Sequence, residues 1–316
     1  MNPSKCSLAT LLLILSACGP ACSSVPEAGS PEPKGGGPAE ATKPGPEATP
    51  QAPADPPPAT QGDLQEAKGV DLSRLTEPQR VSFFQLINAE PSACGKSHSL
   101  AVSLRDDASC RDSLTVSQFI ADALGAGASP SDIKANLEQV VSTLQPRKIE
   151  IAGRPVYGNE RAPVTVVVFA DFECPHCREE APKLRQAIDQ FRGRAKLVFK
   201  HFPLQFHVRA KFAAIATVAA QQQGKFWEMH DIVFENQTAL SDADIRRYAQ
   251  KIGLDMKLFD ADFAALKGKD LVEADRVEGE KLEITGTPAV FVNGRYFNEY
   301  LFGGTVVGWI DDALRR

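Results

Sequence analysis

The run VTVVVFA, Val164 to Ala170, is apolar and rich in β-branched residues, with no polar alternation after Thr165. A strand of that composition is covered on both faces, so it sits in the middle of a sheet with helices above and below. The chain breaks directly after it. Asp171 to Glu173 read as a turn, and CPHCREEAPKLRQAIDQF reads as a helix with Pro175 in its first turn and Glu179 and Glu180 near its positive end. Cys174 and Cys177 therefore fall at a strand-to-helix junction, with Cys174 at the helix N-terminus and Cys177 one turn in.

Two cysteines at that spacing can hold a metal, lock a loop or run redox chemistry. A lone CxxC is half a zinc site, and His201 and His207, the available partners, follow a strand-like segment without ligand spacing. A disulfide across so small a loop removes little chain entropy. Redox chemistry fits the position, because free N–H groups and the helix dipole favour a negative sulfur at Cys174. A protonated His176 adds a second positive influence. Cys174 is expected to be the exposed, attacked sulfur and Cys177 the buried partner. No metal and no cofactor are expected.

FADFECPHC, the strand KLVFKHF, a helix-rich stretch and TGTPAVFVNG together resemble the DsbA-type thiol:disulfide oxidoreductases of the bacterial envelope, over residues 149–316. The fold class implied is α/β, a thioredoxin fold with an all-helical insertion at about 204–284. The resemblance also implies a cis Pro288 lying against the cysteines and a Thr287 that presents backbone to a substrate peptide. Pro175 and His176 tune the pair, as in the oxidising members. Asn293–Gly294 between two short strands is a hairpin signal. The family commonly carries a buried acid six residues before the first cysteine; this chain has Val168 there. Asp171 and Glu173 are nearer in sequence but belong to the turn. Lys200, on the neighbouring strand, is expected to point elsewhere without that acid.

The rest of the chain divides by composition. Residues 1–17 read as an export signal, Lys5 followed by the apolar run Leu8–Leu15, too short to span a membrane. LSAC, ending at Cys18, resembles a lipobox, which implies a lipid on Cys18 and anchorage to a membrane. Gly19 inclines that reading toward the outer membrane over the inner one. Residues 18–65 form a tether: Ser23 to Gly62 holds eleven prolines, six glycines and no aromatic residue, too little apolar surface to offset its ordering entropy.

Residues 66–148 read as a small helical domain. Thr76 with Gln79, and Ser129 with Pro130, mark helix starts, and Val81, Phe83, Phe84, Leu86 and Ile87 supply an apolar face. Cys94 and Cys110 are a possible second disulfide, either a staple for a small domain or a second redox pair. A formal net charge of −5 and the absence of a basic block give no nucleic-acid surface.

The expected activity is disulfide donation to unfolded or reduced exported proteins, with a membrane redox partner that resets the pair. Two alternatives stay open: an isomerase or reductase kept reduced by an electron donor, and a non-catalytic, surface-tethered binding module.

Overall fold

The computed structural model describes residues 64–316. The segments read as an export signal and a tether, with Cys18, lie outside the described residues up to residue 63. The chain divides into two compact units between Lys134 and Ala135, whereas the sequence reading placed a boundary at 148/149.

The first unit is helical: α1 (Glu77–Ala89), α2 (Leu100–Asp106), α3 (Arg111–Gly125) and the start of α4 (Pro130–Leu144). The Gln79 side chain accepts the Thr76 N–H at 2.9 Å, and Ser129 Oγ accepts from the Asp132 N–H at 3.1 Å, so both helices start where their capping residues place them. Phe83, Leu86 and Ile87 of α1 are buried, but Val81 is exposed. It lies off the stripe that the other three define, so the expected apolar face is narrower than it reads. The segment between the cysteines is not a plain loop, since it contains α2.

The second unit is built on a five-stranded sheet in the order β1 (Val156–Gly158), β3 (Ala195–His201), β2 (Val164–Ala170), β4 (Ala289–Val292), β5 (Arg295–Phe297). Only β2 and β3 run parallel. β2 is central and covered on both faces. Val164, Val166, Val168 and Ala170 pack with the helix that follows the cysteines, α5 (Pro175–Gln190), while Val167 and Phe169 pack on the opposite face with Phe202 and Phe291. The period-two alternation thus sorts one apolar run into two cores.

Five helices lie between β3 and β4: α6 (Ala210–Gln221), α7 (Phe226–Glu235), α8 (Asp242–Lys251), α9 (Met256–Ala264) and α10 (Lys269–Lys281). After β5 come α11 (Glu299–Phe302) and the amphipathic α12 (Val306–Arg315). α12 packs on α5, β2 and β4. The β4–β5 hairpin turns through Asn293 (φ 47°) and Gly294 (φ 80°), as a two-residue hairpin requires. Gly294 is needed twice over: a Cβ there would also collide with the backbone of Arg147, whose N–H donates to the Gly294 carbonyl at 2.9 Å. Together this is a thioredoxin-like α/β fold with a mixed sheet and many helices.

Candidate active site

β2 ends at Ala170, and the next residue organises the turn. The Asp171 carbonyl accepts the Cys174 N–H at 3.2 Å. Its carboxylate, buried at 1% exposure, accepts the N–H of Glu173 (2.6 Å) on one oxygen. The other oxygen takes the N–H of Leu204 (2.7 Å) and bonds His207 Nδ1 (2.8 Å). This ties the turn to the segment after β3. From the other side, Gln237 Nε2 donates to the carbonyls of Phe172 (2.9 Å) and Cys174 (2.8 Å). The backbone leading into α5 is therefore fixed by two side chains remote in sequence, and Cys174 caps the helix with Pro175 next to it.

Cys174 and Cys177 are both free thiols. Both are buried, at 5% and 2% exposure. The expectation of an exposed Cys174 is corrected here, because Thr287 and the Gln237-held turn close over it. The Cys174 thiol donates to the Thr287 carbonyl at 3.2 Å, across the cis Thr287–Pro288 bond.

The two sulfurs differ sharply as acids. The Cys174 thiol is pushed down to about 5, first by the hydrogen bond from the Cys177 thiol, then, against the cost of burial, by Thr287 and the N–H groups of Cys177 and His176. Burial pushes the Cys177 thiol far up, and the bond to Cys174 adds to it; the N–H of Asp171, 3.4 Å from its sulfur, works the other way. His176 thus acts on Cys174 through its backbone, while its side chain is exposed on a groove. Glu179 and Glu180 fall in the second turn of α5, so the first turn carries no acid and leaves its N–H groups to the sulfur. The Thr287 side chain lowers both thiols, and its hydroxyl oxygen is buried with no hydrogen-bond partner among the described residues.

Thr287 and Pro288 form one wall of that groove, which has a volume of about 340 Å³. His176, Glu180 and Lys183 of α5 form the facing wall, with the Lys183–Glu180 pair at 3.2 Å. Phe297 and Asn298 also line it.

The remaining candidates lie elsewhere. His201 is buried among the rings of Phe172, Phe199 and Phe226, and His207 is committed to Asp171. Lys200, fully buried, faces away from the thiols. Its Nζ donates to the Glu150 carbonyl (2.7 Å), pairs with Asp275 (3.0 Å) and binds Glu278. Glu173 accepts the Arg209 N–H and does not turn toward Cys177. Cys94 and Cys110, in the first unit, are joined by a disulfide with Cα atoms 5.8 Å apart. Gln237 and the polar hub at Asp171 are site elements that sequence reasoning missed. Asp171 was read as a turn residue only, and nothing in the local pattern points to Gln237.

Among proteins of known sequence, the chain is 40% identical over 141 residues to the Na(+)/H(+) antiporter NhaA 3 of Salinispora tropica, covering 44% of this chain and 22% of that protein. It is 35% identical over 160 residues to NhaA 1 of Mycolicibacterium gilvum, covering 50% and 25%. The chain spans about a quarter of the length of these relatives or less. Among solved structures, a thioredoxin-like oxidoreductase from Silicibacter pomeroyi DSS-3 is 28% identical, with a TM-score of 0.46, covering 52% of this chain and 92% of that one. BdbD from Bacillus subtilis is 25% identical at 0.46, covering 53% and 96%. The thiol-disulfide exchange protein alpha-DsbA2 from Wolbachia pipientis is 21% identical at 0.47, covering 58% and 94%.

The CPHC pair at the start of α5 and the cis-proline before β4 stand together in a thioredoxin-like fold that carries a disulfide-capable pair of cysteines. The family model described as thioredoxin matches residues 151–312, just over half of the chain, and the chain belongs to that family.

Proposed function

We propose that this chain is an envelope thiol:disulfide oxidoreductase that donates disulfides to exported proteins through Cys174 and Cys177. The observation that carries the reading is the placement of Cys174 at the N-terminus of α5, against the Thr287 carbonyl of the cis Thr287–Pro288 bond, with Cys177 buried one turn in; there the first thiol is pushed down to about 5 and the second far up. Such a pair holds Cys174 as a thiolate when reduced. That favours the reduced state and makes the disulfide an electron acceptor.

A substrate thiolate in the groove attacks Cys174. A bond forms between the two sulfurs, the Cys174–Cys177 bond breaks, and Cys177 departs with the electron pair. Its high proton affinity means that it takes up a proton as it leaves. A second substrate thiolate then attacks the substrate sulfur of the mixed disulfide and releases Cys174 as the stabilised thiolate. The substrate loses two electrons and the enzyme gains them. A membrane redox partner must then reoxidise the pair. The LSAC signal at Cys18 and the proline-rich tether support a lipid-anchored domain in the bacterial envelope, with the outer membrane favoured.

A Cys174 pKa two units below pH 7 stabilises the reduced state by at most about 3 kcal/mol. DsbA itself lies about 150 mV, or roughly 7 kcal/mol, above thioredoxin. Thiolate stabilisation alone thus raises the potential about 60 mV above the thioredoxin value of about −270 mV.

Equilibration of the folded domain with glutathione tests the reading. A potential between about −210 and −120 mV supports a disulfide donor. A value near −270 mV means a reductant or isomerase that needs an electron donor. Retention of all function by Cys174→Ala would mean a binding module.

A further inference from the structure

The disulfide of the helical unit is built asymmetrically. Cys94 lies in a tight turn whose Gly95 N–H returns to the Ser92 carbonyl at 3.2 Å. The turn is held at its base by the bridge between Pro91 and Ser99. Cys94 is exposed there, whereas Cys110 is 4% exposed.

Two buried hydroxyls reach the Cys110 sulfur: Ser113 Oγ at 3.0 Å and Ser92 Oγ at 3.3 Å. Ser113 is fully buried and Ser92 is 5% exposed. A disulfide sulfur has no hydrogen to give, so both hydroxyls donate to it. Their oxygens are occupied in turn, because Ser113 Oγ accepts the Ala93 N–H and Ser92 Oγ accepts the Cys94 N–H, each at 3.2 Å. A disulfide sulfur is a weak acceptor and a thiolate a strong one, so this pair of donors gains most when Cys110 carries the charge. Lys96, in the same turn as Cys94, pairs with Asp107 at 2.6 Å, with His98 3.5 Å from the same carboxylate. A staple needs neither an open sulfur nor two donors on the closed one.

We infer that Cys94–Cys110 is a second thiol–disulfide exchange centre, which accepts an attacking protein or peptide thiolate at Cys94 and releases Cys110 as a thiolate held by Ser92 and Ser113. The incoming sulfur bonds to Cys94 Sγ, the Cys94–Cys110 bond breaks, and its electron pair stays on Cys110. A second thiolate of the same substrate attacks the substrate sulfur, forms the substrate disulfide and frees Cys94, which takes a proton from water. The pair ends two electrons richer, and exchange with another protein disulfide runs the same steps backward. This centre does not depend on the role given to Cys174 and Cys177.

The test uses the full chain with Cys174→Ser and Cys177→Ser, so that failure of the first site cannot pass for failure of the second. Reduced glutathione is added under native conditions, and adducts are trapped by acid and mapped by mass spectrometry. The expected result is glutathione on Cys94, with Cys110 as the free thiol. Ser113→Ala should slow the reduction about tenfold and Ser113→Thr should restore it; Ser92→Ala gives the same readout if the first variant does not fold. Adducts on Cys110, no reduction until the chain is unfolded by denaturant, or rates unchanged by loss of either hydroxyl would each overturn the inference.

Discussion

Val168 and Cys177 line the same small cavity, about 10 Å³ in volume, whose only other ionisable linings among the described residues are Glu180 and His230. The Cys177 thiol, held far above its ordinary range, stands beside a valine rather than an acid at position 168, and the carboxylate that does line the cavity, Glu180, pairs with Lys183 at 3.2 Å. Val168→Glu is expected to speed release of Cys177 by about a hundredfold, the low end of what a positioned proton donor contributes. Stopped-flow reduction of the oxidised domain across pH reads this. An unchanged rate in a folded variant would show that proton delivery does not limit the step.

Thr287 lowers both thiols, and its hydroxyl, buried with no hydrogen-bond partner among the described residues, is available to donate to a thiolate. Thr287→Val removes the donor and keeps the shape. The Cys174 pKa should rise by about one unit, the size of one charge-assisted hydrogen bond, and the potential should fall by about 30 mV. Thiolate absorbance at 240 nm against pH measures the first, and glutathione equilibration the second.

The reduced and oxidised forms should differ in how stability depends on pH. Cys174 has a folded pKa depressed from 9.0 to about 5. Its contribution to the reduced form is complete above the unfolded value and is lost as pH falls through about 5. The oxidised form has no such group. Denaturant melts of both forms at pH 4 and pH 8 should show the reduced form losing more stability on acidification. Equal losses would mean that the thiolate is not stabilised by the fold.

His201 is buried with both ring nitrogens unpartnered among the described residues, and burial pushes its pKa down to about 4. His230, also buried, is pushed down as well. The unfolded chain takes up protons below about 6.5 that the folded chain refuses, so both rings cost stability as pH falls from there toward 4. His201→Phe, among Phe172, Phe199 and Phe226, should stabilise by about 1–3 kcal/mol and weaken the acid sensitivity. A lower Tm at pH 5 would count against this reading of the ring.

The features legible in the sequence were those set by neighbours along the chain. The β2 run, the cysteine spacing, the Asn293–Gly294 turn and the caps at Thr76 and Ser129 each depend on a few adjacent residues. β1 went unread because a three-residue strand at a sheet edge carries too few positions for a pattern. The burial of Cys174 was illegible for a different reason: Gln237 and Thr287, which close over it, lie 63 and 113 positions away. Lys200 was read correctly as turned from the thiols, but its partners come from residues 150, 275 and 278.

That cluster under the sheet has a consequence for how this protein can diverge. Arg154 and Lys200 face Asp275 and Glu278, two positive against two negative, and Lys200 and Asp275 are fully buried. Losing one member strands its partner's charge, at a cost of about 3–5 kcal/mol, a large share of what a domain has to lose. Lineages should therefore keep the set or replace it together, and a chimera that takes β3 from one relative and α10 from another should fail to fold while both parents succeed.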